Sequence, residues 1–305
     1  MRVALGTRGS PLALAQAEIV AGRLRAGGVH VDVVPIRTAG DRLAQASLAA
    51  LGGKGLFVKE IEEALLDGRV DVAVHSLKDM PARLPQGLTL AAFPPREDPR
   101  DVLIAPGAGG VEGLPPGATV GTGSPRRRAL LRARRPDLRL ADVRGNVETR
   151  LAKLRGGAYD ALVLAGAGLR RLGLEPPGAV ALDPAEFVPA VGQGILAVEA
   201  RADAPGVLAL LRGVDDTRTR MEALAERAFL AGLAADCHTP VAGHAELRPD
   251  GTLHLAGMVA SRDGAAMLRG ATSGPGAEAS ALGERLARDL LARGADRLLR
   301  ASGEA

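Results

Sequence analysis

Short runs rich in Val, Ala and Leu alternate with amphipathic stretches from the first residue to about residue 210. The runs Arg2–Gly6, Val31–Arg37, Asp71–His75 and Leu88–Phe93 have the length and apolar content of strands. Between the first two, Ser10–Ala26 reads as a helix. Ser10 is its N-cap, Pro11 takes the first helical position, and Leu12, Ile19, Val20 and Leu24 are its apolar positions. Val58–Leu66 is a second helix. After a Pro-rich charged stretch, Phe93–Asp101, the alternation resumes. Thr119–Thr122, Leu138–Val143 and Ala161–Ala165 read as strands, and Ser124–Arg134 and Val147–Leu154 as helices. From about Thr217 the order changes to a helix (Arg218–Leu230), three strand-like runs (Ala242–Leu247, Leu253–Ser261, Ala265–Ala271) and a last helix (Glu278–Arg293). The pattern predicts two α/β domains and a small C-terminal α+β domain of βββα order. The expected boundaries are 1–95 with 195–213, then 100–190, then 217–305.

One motif occurs twice. Leu5-Gly-Thr-Arg-Gly-Ser-Pro11 resembles Val120-Gly-Thr-Gly-Ser-Pro125, and each copy lies between a strand and a helix. Each supplies glycines for a turn, a hydroxyl cap and a Pro entering the helix. Such a helix start presents free N–H groups and suits an anion. Either copy alone is equally well a plain helix cap. The pair favours two related domains that aim anion-binding helix starts at a common cleft.

Composition narrows the function. The chain has 305 residues and a formal net charge of +4, so its pI of about 9.8 reflects Arg in place of Lys, not a large positive excess. That balance demands no nucleic-acid partner, and four Phe with one Tyr cannot build base-stacking platforms. No apolar run is long enough for a bilayer span, and Arg8 and Pro11 interrupt any secretory core at the N-terminus, so a cytoplasmic protein is expected. A single cysteine, Cys237, excludes an internal disulfide and a Cys-rich zinc site, and no His pair has metal-ligand spacing.

Several clusters carry candidate chemistry. Lys54, Lys59 and Lys78 are three of only four lysines and fall close together. The glycine-rich stretch around Lys54 is not a phosphate-binding P-loop, because Leu48 stands where that motif needs Gly. It suits a lid. The run Asp71–His75 ends in Ser76, Lys78 and Asp79, where a parallel sheet places its ligands. Asp79 alone could equally be a helix cap or a partner of Lys78. Arg126 and Arg127 occupy the first turn of a predicted helix, where cations oppose the helix dipole. An anionic ligand there would supply a reason, and a solvated basic turn is the alternative. Gly192–Ala197 fits a loose dinucleotide-binding pattern, but Pro189 disrupts the strand that motif requires. Cys237 lies in a polar loop beside Asp236 and His238. The carboxylate would raise its thiol pKa and a protonated imidazole would lower it.

The blocks VHSLKDMP (74–81), GGKGLFVKE (52–60), VRGNVETRL (143–151) and PAVGQG (189–194), together with the loop cysteine at 237, resemble the porphobilinogen deaminase (hydroxymethylbilane synthase) family. The likeness runs in order from Arg2 to about Arg297 and is specific in combination. It implies two domains like those of type 2 periplasmic binding proteins plus the α+β domain. It also implies a transferase that joins four porphobilinogen molecules head to tail, with loss of ammonia, into hydroxymethylbilane for tetrapyrrole and heme biosynthesis.

The family primes this chain on a dipyrromethane cofactor held by a thioether, which the resemblance assigns to Cys237, and its catalytic aspartate matches Asp79. Ser76, Lys78, Thr122, Ser124, Arg126, Arg127, Arg144, Gly145 and Arg150 match the cofactor-binding positions. Arg8, Ser10, Lys54, Phe57, Arg144, Arg150, Arg171 and Gln193 match the substrate-binding positions. The resemblance implies no metal, no nucleic acid, no membrane and a monomer whose only partner is its small-molecule substrate. Arginine suits this work, since its planar guanidinium binds carboxylates through paired N–H bonds and stays charged. Two departures stand out. Relatives commonly have Gly-Gly before the cofactor cysteine, where this chain has Ala235-Asp236, and a lysine found ahead of the glycine-rich block is Ala50. The competing reading from sequence is a non-catalytic anion receptor of the same cleft fold, which has no use for a loop cysteine or a third domain. An Arg-rich RNA-binding protein is a weaker third.

Overall fold

The structure is a computed structural model and describes residues 1–38, 58–235 and 239–301. The chain forms two compact units, Met1–Glu97 with Ile195–Arg220, and Asp98–Gly194 with Met221–Ala305.

In the first unit the strands are β1 (Arg2–Arg8), β2 (His30–Ile36), β3 (Val72–Ser76), β4 (Leu88–Ala92) and β10 (Leu196–Arg201). They form one sheet in the order β2-β1-β3-β10-β4. β1 runs parallel to β2 and β3, while β10 runs antiparallel to β3 and β4. The central strands are buried on both faces, which is why they read as continuous apolar runs rather than alternating ones. Helix α1 (Pro11–Ala26) covers one face, packing Ala17, Val20, Ala21 and Leu24 against Val3, Leu5, Val72 and Val74. Helix α2 (Lys59–Leu66) covers the other with Ile61, Ala64 and Leu65 against Val70, Ala73 and Leu88. Truncating a fully buried side chain such as Leu65 to Ala is expected to cost ~2–5 kcal/mol.

The second unit repeats the topology. Its strands are β5 (Asp101–Ile104), β6 (Thr119–Gly121), β7 (Arg139–Ala141), β8 (Ala161–Ala165) and β9 (Ala179–Ala181), in the order β7-β6-β8-β5-β9. β6 is parallel to β7 and β8, and β5 is antiparallel to β8 and β9. Position for position this matches the first sheet, with β5 in the place of β10. In each unit the antiparallel strand comes first after the chain enters from the other unit. Helices α3 (Pro125–Arg134) and α4 (Val147–Arg155) follow β6 and β7, as α1 and α2 follow β1 and β2. The short helices α5 (Gly166–Arg171) and α6 (Pro205–Leu211) follow β8 and β10.

The C-terminal part holds α7 (Thr217–Gly232), an antiparallel sheet of β11 (Val241–Leu247), β12 (Thr252–Ala260) and β13 (Met267–Pro275), then α8 (Ala279–Ala292) and α9 (Ala295–Ala301). α8 lays Leu282, Leu286, Ala287 and Leu290 into a cluster with Phe229 and Leu255. Gly283 lets it approach α7 closely, since a Cβ there would stand 2.2 Å from the Ala225 carbonyl oxygen. Ala242, Met258 and Ala260 share a second buried cluster with Leu130 and Leu131 of α3. Compactness therefore joins 221–305 to 98–194.

The β and α regions and the βββα order follow the sequence expectation. β5, β9 and β10 and the short helices α5, α6 and α9 were not expected. β5 begins on an aspartate inside a Pro-rich stretch, and β10 follows the turn Gly192–Gly194, so both lack flanking strand signals. That turn leads into a strand, not a helix, so Gly192–Ala197 does not form the dinucleotide motif.

Candidate active site

The first unit contains a small pocket, open to solvent, lined by Arg8, Ser10, Leu12, Ala13, Gln16, Val58, Val74, His75, Ser76 and Asp79. Local sequence chemistry builds each part of it. β1 ends on Arg8. Ser10 caps α1, its hydroxyl accepting from the Ala13 N–H at 3.3 Å, with Pro11 in the first turn. β3 ends on Ser76, whose hydroxyl meets the Gln16 amide at 2.9 and 3.2 Å. The chain then makes a single 3-10 turn, Leu77–Asp79. Buried Leu77 anchors this turn, and its N–H donates to the Ile195 carbonyl at 2.9 Å. Asp79 stands exposed at the end of it. Four of the expected site residues, Arg8, Ser10, Ser76 and Asp79, thus share one wall. Lys78 lies on the same turn, half-buried. Gln16 and His75 also line the pocket and were not anticipated. Gln16 falls on the buried side of α1, between Ala13 and Ala17, which was the available signal.

The corresponding place in the second unit is the end of β6. Buried Thr122 donates its N–H to the Ala141 carbonyl at 2.9 Å, and its hydroxyl accepts from the Ser124 N–H at 3.3 Å. Ser124 caps α3, accepting from the Arg127 N–H at 3.4 Å, with Pro125 next. Both copies of the sequence motif are therefore capped helix starts at the ends of equivalent strands. Nearby in the chain, Gly145 adopts φ +104°, a region that favours glycine. A Cβ there would also stand 2.7 Å from the Thr149 methyl group. Its carbonyl accepts from Arg150 Nε at 2.8 Å, and Asn146 caps α4 through Thr149. The Arg144 carbonyl accepts from Lys153 at 3.2 Å.

The structure adds internal partners for four of the expected site residues. Arg126 and Arg127 have an internal counter-charge at the helix start. Both are buried, and their anion is Asp101, which is fully buried at the head of β5. Arg126 donates to both Asp101 oxygens at 2.7 and 3.2 Å and to the Val188 carbonyl at 2.8 Å. Arg127 donates to Asp101 from Nε at 3.0 Å and Nη2 at 2.8 Å, and to the Val163 carbonyl at 3.0 Å. Burial alone would raise the Asp101 pKa, but the two guanidinium groups outweigh it and hold the carboxyl well below the usual range. Gln193 belongs to the same knot. It is fully buried, and its amide donates to the Pro99 carbonyl at 2.7 Å and to Asp101 at 2.9 Å. Arg171 donates to the Gly194 carbonyl at 2.6 Å, which fixes the turn ahead of β10. These contacts tie β5, α3 and the turn ahead of β10 together. Lys54, Phe57 and Cys237 lie outside the described residues.

Among the described residues no group of His, Cys, Asp and Glu could hold a metal ion, and no helix is long and apolar enough to cross a membrane.

Two α/β units of one sheet topology, each with a capped helix start at the end of an equivalent strand, and a βββα segment make up the chain. Residues 3–209 match the family model "Porphobilinogen deaminase, dipyromethane cofactor binding domain", and residues 220–292 match "Porphobilinogen deaminase, C-terminal domain". The chain belongs to the porphobilinogen deaminase family. It is 48% identical over 313 residues to a porphobilinogen deaminase of Nitratidesulfovibrio vulgaris strain Miyazaki F, covering 100% of this chain and 99% of that one. It is also 48% identical over 299 residues to one from Syntrophobacter fumaroxidans, covering 97% of this chain and 96% of that one. Among solved structures, an ancestral cationic amino acid solute binding protein covers 70% of this chain and 88% of its own at 15% identity and TM-score 0.43. Membership makes the protein a transferase of tetrapyrrole biosynthesis that polymerises porphobilinogen to hydroxymethylbilane and uses a dipyrromethane cofactor.

Proposed function

We propose that Asp79 is the catalytic carboxylate of this polymerisation and that Arg8, Ser10, Ser76 and Lys78 bind acetate and propionate groups beside it. The observation that carries the reading is the placement of exposed Asp79 on the wall that also holds Arg8 and the capped start of α1. When ammonia leaves the aminomethyl group of porphobilinogen, positive charge spreads over the pyrrole and its N–H. A fixed carboxylate at that N–H lowers the energy of the charged state, and removing such a preorganised partner typically costs ~10²–10³ in rate. The same carboxylate is suited to accept the proton released when the ring carbons join.

The donor set fits the cofactor. Each of its two rings carries two carboxylates, and Thr122, Ser124, Arg144, Gly145 and Arg150 are the residues of the second unit assigned to hold them. Thr122 and Ser124 stand at a helix start, and Gly145 is a position where a side chain would crowd Thr149. The cofactor, once bound through Cys237, supplies the primer ring to which substrate is added. Arg126 and Arg127 are proposed to hold the cofactor and Gln193 the substrate, while their contacts with Asp101 fix α3 and β5. Lys54, Phe57 and Arg171 complete the proposed substrate contacts. The proposed organisation is 1–95 with 195–213, 100–190, and 217–305 carrying the cofactor cysteine, in a cytoplasmic monomer.

Intact mass tests the covalent site. The purified protein should be heavier than its sequence by one dipyrromethane, and Cys237→Ser should have the mass of the bare chain. An unmodified wild-type protein from a host that makes porphobilinogen would remove Cys237 from its role. Light scattering tests the monomer.

A further inference from the structure

Three titratable side chains are buried in the first unit, and one of them, His75, lines the pocket. Glu199 on β10 is fully buried, His75 on β3 is 6% exposed, and Glu62 on α2 is 9% exposed. His75 Nε2 and Glu199 Oε2 are 3.1 Å apart. Among the described residues, the second oxygen of Glu199 and Oε1 of Glu62 are buried with no hydrogen-bond partner. Two carboxylates and one imidazole in a dry setting cannot all carry charge cheaply. Burial of the cluster therefore favours keeping the proton on the Glu62 carboxyl.

We propose that Glu62, His75 and Glu199 form a buried proton-holding triad that controls the charge behind the Asp79 pocket, with His75 as the member on the pocket wall. The inference rests on that pocket being the reaction site. Glu62 is the member that exchanges its proton with solvent. Burial and the neighbouring Glu199 push its carboxyl up to about 7, against the opposing pull of His75. Other elements packed on α2 add little. β4 carries no charge, Arg201 of β10 reaches the Leu65 carbonyl, and β1 offers Arg8 at the pocket rim. Below neutrality the Glu62 carboxyl is neutral. Above it, one negative charge appears behind the wall that must receive a dicarboxylate. Glu62, His75 and Glu199 are positioning residues in this scheme, acting through the field at the pocket and touching no reacting atom.

Infrared titration of the holoenzyme reads the proton directly. The carbonyl stretch of a protonated carboxyl should grow in as pH falls through about 7, vanish in Glu62→Gln, and return at a shifted midpoint in Glu62→Asp. In wild type, kcat/KM for porphobilinogen should fall about threefold as pH rises through 7, mostly through KM, and Glu62→Gln should lose that component. No carbonyl band titrating near neutrality, or a band that persists in Glu62→Gln, overturns the triad as a proton store. A band that behaves as expected alongside an unchanged kinetic profile in Glu62→Gln overturns its control of the pocket. Asp79→Asn separates the two readings. Near-normal turnover there, with the infrared band intact, would displace the reaction site and leave the proton store standing.

Discussion

Asp101 and Arg126 form a two-point ion pair inside the second unit, Oδ2 accepting from Nη1 at 2.7 Å and Oδ1 from Nη2 at 3.2 Å. Arg127 and Gln193 close on the same carboxylate. This knot joins β5, the first turn of α3 and the turn before β10. It resolves why cations sit in a helix start whose dipole opposes them: the anion is internal.

Asp101→Asn should therefore be strongly destabilising, because it leaves two buried guanidinium groups without their counter-charge. The expected loss is ~3–5 kcal/mol, measured by urea unfolding. Arg126→Lys should also weaken the fold, since an ammonium cannot reproduce the two-point contact.

The same pair gives a pH dependence with a definite sign. The folded-state pKa of Asp101 lies below its unfolded value of about 3.9. Its contribution is complete above that value and is lost as pH falls through the folded-state pKa. Glu62 behaves oppositely. Its folded-state pKa of about 7 exceeds the ordinary carboxyl value, so its contribution is complete below that ordinary value and is lost as pH rises towards and through 7. Unfolding measured between pH 5 and 8 should show wild type losing stability relative to Glu62→Gln.

Gly283→Ala should destabilise the C-terminal part while sparing the pocket chemistry. The added methyl would meet the Ala225 carbonyl at 2.2 Å and the Phe229 N–H nitrogen at 2.7 Å, both backbone atoms that cannot yield locally. A cost of ~1–3 kcal/mol is expected by thermal or urea unfolding, with turnover per folded molecule unchanged.

Ser10→Ala should separate capping from binding. Loss of the cap costs about 1 kcal/mol of stability, and loss of a ligand contact raises KM with little change in kcat. A stability loss with unchanged KM would confine Ser10 to its helix.

Much of the pocket was legible in the sequence because its parts are local signals. Ser10-Pro11 and Ser124-Pro125 mark helix starts, and Ser76, Lys78 and Asp79 follow an apolar strand. The partners that come from far away in the chain were not legible. Asp101 looks like one more charge in the stretch REDPRD, and only the folded chain brings it to Arg126. Glu199 sits in LAVEAR, where alternation suggests a solvent-facing position, yet β10 is covered on both faces. Glu62 was recoverable in principle. Val58, Ile61 and Leu65 define the buried stripe of α2, and Glu62 falls inside it, one turn from Val58 and three residues from Leu65. A carboxylate on an apolar stripe is a sequence signal for a buried titratable group.

The central claim is that Asp79 performs the chemistry on a cofactor held elsewhere in the chain. Asp79→Asn, purified and assayed for both intact mass and porphobilinogen turnover, tests it most directly. The account predicts the dipyrromethane adduct present and turnover reduced ~10²-fold or more. An adduct-bearing Asp79→Asn protein with near-normal turnover would contradict it.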